Sequence, residues 1–217
     1  MQRNHGPKTS TLTSLRQGTT DSHAVESYYD DWADSYDETL SEWQYRAPDD
    51  ASGLLAPHLS DGARVLDVGC GTGLLARALR KRGDYTVDGI DISAASLRLA
   101  ERHGDYAQLI HHDLQNLPLP VPDNVYDAAA SVGVLTYIED AEALLRDLCR
   151  CVRPGGAITF TQRTDLWEGR NFPELIARLD RDGLWANPHI TPPQKYLPGN
   201  EEFSDEVNVI HTLCIVS

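Results

Sequence analysis

The sequence has no apolar run close to the roughly 20 residues a membrane-spanning helix requires, which excludes a helical membrane protein. Positive charge is scarce as well. Lys and Arg number 19 against 33 Asp and Glu, a formal net charge of −14. Nucleic acids and anionic membranes are held by Lys and Arg, so neither is an expected partner. Cysteine is limited to Cys70, Cys149, Cys151 and Cys214, too few and too dispersed for a disulfide framework. Only Arg150 separates Cys149 from Cys151, which matches no common zinc or redox spacing, and no metal site is expected. Reduced, buried thiols fit a cytoplasmic protein. A length of 217 residues suits one α/β domain with a full core.

What is present begins with a polar segment. Residues 1–22 are rich in Ser, Thr, Gly, Lys, Arg and Gln, with only Leu12 and Leu15 to form an apolar face, and are expected to be a disordered tail. A helical pattern starts at Asp21, where Tyr28, Tyr29, Trp32, Ala33 and Tyr36 recur at spacings of three and four among acids. A second helix is expected over residues 48–59. Strands and helices then alternate. Strands are expected at 63–69, 86–92, 108–113, 125–132, 157–162 and 206–216. Helices are expected at 74–82, 94–103 (with Ser93 as N-cap), 139–152 and 172–184. The stretch holding Pro188, Pro192, Pro193 and Pro198 is expected to be a connection. Repeated β-α-β units imply a Rossmann-like, doubly wound, mostly parallel sheet with ligands at the carboxyl ends of its strands.

Four features fall on that edge. Asp67 ends the first strand and is followed by Gly69, Cys70, Gly71 and Gly73, a G-x-G-x-G turn before a helix. Glycines there let backbone N–H groups approach a ligand, and the spacing differs from the G-x-G-x-x-G of dinucleotide binding. Asp91, followed by Ile92, ends the second strand, where an acid can accept both hydroxyls of a ribose. Asp113 with Leu114 follows the third strand, placed to accept from an adenine amino group. Ser131 and the small residues to 134 end the fourth.

These pieces resemble the class I, seven-stranded S-adenosylmethionine-dependent methyltransferases. The resemblance rests on VLDVGCGTG, VDGIDIS, HHDLQNLPLP, NVYDAAASVGVLTYI and RPGGAITFT and spans about residues 25–217. YYDDWADSYD, YRAP, TQRTD, RDGLW and KYLPG look, more narrowly, like the Williams–Beuren-syndrome-region methyltransferase-like proteins. The resemblance implies a seven-stranded sheet with an antiparallel C-terminal strand. It also implies that Gly69, Gly71 and Gly73 cradle the methionine part of S-adenosylmethionine, that Asp91 holds its ribose, and that Asp113 and Leu114 hold its adenine. Such proteins close an N-terminal aromatic helix over the cofactor, which makes Tyr29, Trp32, Tyr36 and Arg46 lid candidates. A single domain over 23–217 then divides into a lid, 23–60, and a core, 61–217.

The receiving end is written less clearly. A sulfonium methyl is already activated, so the protein must chiefly align the reactants and exclude water. His111, Tyr137 and Arg163 are candidates for proton transfer or for holding an acidic acceptor. The residues after the fourth strand lack the N/D-P-P-Y/F and Pro-Cys motifs of nucleic-acid methyltransferases. With the acidic balance, that leaves a small molecule or, less favoured, a protein side chain, and methyl transfer to an oxygen or nitrogen nucleophile of a small molecule is expected. The alternatives are a non-catalytic sensor of the cofactor or its demethylated product and, against the glycine spacing, an NAD(P) oxidoreductase.

Overall fold

The structure, a computed structural model, describes residues 18–203 and 206–217. Most of the expected tail, residues 1–17, including Leu12 and Leu15, lies outside the described residues. Helix α1 (Ser22–Glu42) opens on Asp21, whose carboxylate accepts from the Ala24 N–H at 2.8 Å, an N-cap. Helix α2 (Ala47–Leu55) has Pro48 in its first turn, where a missing N–H costs nothing. Then come β1 (Arg64–Val68), α3 (Leu74–Arg80), β2 (Thr86–Asp91), α4 (Ala94–His103) and β3 (Gln108–His111). Strand β4 (Tyr126–Ser131) leads through a 3₁₀ turn at Leu135–Tyr137 into α5 (Ala141–Cys151). Strand β5 (Val152–Arg163), α6 (Thr164–Trp167) and α7 (Phe172–Arg181) follow, and β6 (Trp185–Ile190), β7 (Gln194–Lys195) and β8 (Asn208–Val216) close the described chain.

The strand order is β3-β2-β1-β4-β5-β8-β6, with the two-residue β7 pairing off the path on β8. Strands β1 to β5 are mutually parallel, and β8 runs antiparallel between β5 and β6. Strand period decides which side chain faces which layer. Leu66 and Val68 pack with Leu144, Leu148 and Phe172 on one face, while Val65 packs with Leu55, Leu75 and Leu79 on the other. Asp67 shares the Val65 face and is buried there.

Two strands, β6 and the two-residue β7, fall where a connection is expected. The expected proline-rich connection holds β6, an edge strand interrupted by Asn187 at φ 54° and by a register shift between Ala186 and His189. An edge position and a bulge are where a strand tolerates Pro188, so composition there masks the pairing. Strand β5 also starts five residues earlier than the apolar run beginning at Ala157, taking in Pro154-Gly155-Gly156.

Candidate functional site

The cleft lies where the parallel strands end, at the first turn after β1. Gly69 and Gly71 adopt φ 77° and 52°, a region L side chains rarely enter. At Gly69 a Cβ would also meet Val134 Cγ2 at 2.1 Å, so the turn and the loop after β4 touch only because that position carries no side chain. At Gly71 a Cβ would meet nothing within 4 Å, and this residue lines the cleft. Asp91 fixes the turn: its carboxylate accepts from Gly71 N–H at 2.7 Å and from Ser93 N–H at 2.8 Å. Each oxygen keeps a further lone pair for a ligand hydroxyl. Burial raises the Asp91 pKa, and those N–H groups oppose the rise.

The cleft encloses about 680 Å³, open solvent at its mouth included. Asp91, Ile92, Asp113, Leu114, Tyr29, Tyr36, Tyr137 and residues 132–134 line it. The Asp113 carboxylate accepts from Gln115 N–H at 3.0 Å. A smaller hollow of about 330 Å³ continues past the turn and is lined by Asp67, Cys70, Thr72 and Tyr45. Asp67 accepts from the Tyr106 hydroxyl at 2.7 Å, and burial pushes its carboxyl up to about 7. Burial likewise keeps the Cys70 thiol protonated, its pKa well above the ordinary thiol value.

The structure does not bring every expected residue to the wall. Trp32 is 1% exposed and packs among Tyr28, Tyr36 and Trp43 rather than lining the cleft. Arg46 is exposed and lies 3.8 Å from Asp50. Gly73 is the N-cap of α3 at φ 96°, facing Tyr106, and Ser131 is fully buried at the end of β4. The His111 ring sits outside the lining, hydrogen-bonded at 2.7 Å to the Ile92 carbonyl. Arg163 is 4% exposed and also outside the lining; its guanidinium is held by Asp165 and stands 5.0 Å from the Phe203 ring.

Other residues matter that the sequence reading passed over. Gln115 donates to the Thr20 carbonyl and the Ser22 hydroxyl at 2.7 and 2.8 Å, pinning the start of α1 at the rim. Asp30 accepts from Ser93 Oγ at 2.6 Å and Ala95 N–H at 3.0 Å, tying α1 to the start of α4. Asp37 accepts from Thr72 Oγ at 2.5 Å and from Arg77 at 2.5 Å, tying α1 to the glycine turn and α3. Tyr-Asp recurs at 29–30 and 36–37, and seven residues are nearly two helical turns, so tyrosines and acids form neighbouring stripes.

A sequence profile described as "Methyltransferase domain" matches residues 66–160. Human methyltransferase-like protein 27 is 34% identical over 164 residues, covering 73% of this chain and 66% of that protein. A ubiquinone biosynthesis O-methyltransferase of Coxiella burnetii is 32% identical over 102 residues, 46% of this chain and 43% of that one. The chain thus spans about two thirds of the first relative and under half of the second. A Thermotoga maritima S-adenosylmethionine-dependent methyltransferase superposes with a TM-score of 0.61 at 16% identity, covering 86% of this chain and 97% of that one. At that identity the likeness is one of fold.

Proposed function

Since the chain belongs to the class I S-adenosylmethionine-dependent methyltransferases, we propose that it transfers the cofactor's methyl group to an oxygen or nitrogen nucleophile of a small molecule. The observation that carries this reading is the convergence, in one cleft, of the glycine turn, Asp91, Asp113 with Leu114, and two tyrosines of α1. In this reading Gly69 and Gly71 leave room for the methionine part beside bare backbone. Asp91 accepts the ribose hydroxyls with its remaining lone pairs, and Leu114 and Ile92 flank the adenine while Asp113 takes its amino group. When bound, the cofactor supplies a methyl group already activated on sulfur. The chain's part is to align the acceptor and exclude water, and Tyr29 and Tyr36 of α1 serve as the covering lid.

The net charge of −14 supports a small-molecule acceptor over nucleic acid. Four free, buried cysteines support a reducing compartment, the cytoplasm. Titration calorimetry is expected to show binding of S-adenosylmethionine and none of NAD. Incubation with methyl-labelled cofactor and a metabolite extract is expected to label a small molecule. Binding without labelled product across a broad extract would favour a cofactor sensor instead.

A further inference from the structure

One amide joins three stretches of the cleft wall. Gln115 lines the cleft directly after Asp113 and Leu114. Its Nε2 donates to the Thr20 carbonyl at 2.7 Å and to Ser22 Oγ at 2.8 Å. Its Oε1 accepts from the Glu139 N–H at 3.0 Å. Ser22 and Ile138, the neighbour of Glu139, line the cleft as well, so α1, the exit of β3 and the loop before α5 are held together by this side chain. Both amide N–H groups are thereby committed to the protein, which leaves no donor for a bound molecule. Helix α1 is fastened unevenly. From Asp30 onward it is tied by Asp30 to Ser93 and Ala95, by Asp37 to Thr72 and Arg77, and by the Trp43 carbonyl, which accepts from Gly199 N–H at 3.1 Å. Among the described residues, the hydrogen bonds that tie 18–25 to the rest of the fold are the two from Gln115. A turn held by so few bonds is where local opening starts.

We propose that Gln115 is the latch of a gate formed by residues 18–25, and that the cofactor and its demethylated product enter and leave past this first turn of α1. The proposal rests on the methyl-transfer reading. The two bonds from Gln115 to Thr20 and Ser22 set how often the gate opens. The rest of α1 stays docked through Asp30 and Asp37, so Tyr29 and Tyr36 keep their places in the wall. Such a latch changes rates and not affinity, because losing the same two bonds raises the open fraction of the empty and of the occupied protein alike. Gln115 is thus a positioning residue, with a role distinct from that of Asp91.

The test measures S-adenosylhomocysteine binding to the immobilised full chain by surface plasmon resonance, which reads association and dissociation rates separately. Gln115→Met keeps the length of the side chain and removes its hydrogen bonds. Both rates are expected to rise about tenfold, the scale of two neutral hydrogen bonds, with Kd unchanged. Ser22→Ala removes one of the two bonds. It should act in the same direction and less, should add nothing to Gln115→Met, and serves alone if Gln115→Met folds poorly. Amide hydrogen exchange in both variants is expected to quicken at residues 20–25 and to hold steady over residues 30–42. Faster dissociation with a raised Kd and an unaltered association rate would make Gln115 a ligand contact and overturn the gate. Unchanged rates, or exchange that quickens along the whole of α1, overturn it too. A parent chain that binds no S-adenosylhomocysteine overturns the methyl-transfer reading, and the gate with it.

Discussion

Two carboxylates a few ångströms from the glycine turn have different fates. Asp91 is buried but accepts two backbone N–H bonds, so it both shapes the turn and retains capacity for a ligand. Asp91→Ala is expected to weaken S-adenosylmethionine binding by about 1.5–3 kcal/mol, the cost of losing hydrogen bonds to a charged group, as read by calorimetry. Unchanged affinity would reduce Asp91 to a turn former. Asp67 has one hydroxyl partner and a carboxyl pushed up to about 7 from 3.8. The folded state therefore holds a proton that the unfolded chain releases above pH ~4. Its contribution to stability is complete below that pH, declines as pH rises to about 7, and is flat above. Asp67→Asn does not titrate. Denaturation at a series of pH values should show this variant gaining on the parent between pH 4 and 7, by ~4 kcal/mol at most from three pKa units of 1.36 kcal/mol each. A gap independent of pH would show that Asp67 ionises normally.

Helix α1 does two jobs with adjacent stripes. Tyr29 and Tyr36 face the cleft, while Asp30 and Asp37 fasten the helix to α4, α3 and the glycine turn. The proposed cofactor site and the docking of α1 then share Thr72, which neighbours Gly71 and donates to Asp37. Asp37→Ala should lower cofactor affinity and speed amide hydrogen exchange in α1 while leaving α5 unchanged. Asp37→Asn can still accept from Thr72 but loses the charge facing Arg77, and should fall between. Equal exchange in all three proteins would mean that the aromatic contacts of Trp32 alone dock the helix. The periodicity that makes α1 a helix was legible in its aromatics, because helical burial repeats locally. The pairing of β6 was not, because an edge strand with a bulge and a proline has no local signature.

Across the whole molecule, a ligand that binds the folded chain alone must raise its stability. S-adenosylhomocysteine at 100 times its Kd is expected to add about 2.7 kcal/mol and to raise Tm by roughly 5–10 °C for a chain of this size. NAD at the same concentration should leave Tm unmoved. A shift with NAD alone would overturn the choice of cofactor. Among the described residues no helix is long and apolar enough to cross a membrane.

The sequence by itself determined which polar side chains and glycines reach one edge of the sheet. Asp67, the glycines, Asp91 and Asp113 each lie at or just past the end of a strand, and parallel β-α-β topology brings strand ends to one edge whatever the details of packing. Only the tertiary structure decided what packs around them. It put Tyr29 against Tyr137, buried Arg163 against Asp165 and Phe203, left Arg46 at the surface, turned His111 onto a backbone carbonyl, and used Gln115 to pin the start of α1. Most of these are contacts between residues far apart in the chain. No spacing encodes them, since they depend on how α1 lies across the sheet and on which side chains burial leaves room to meet.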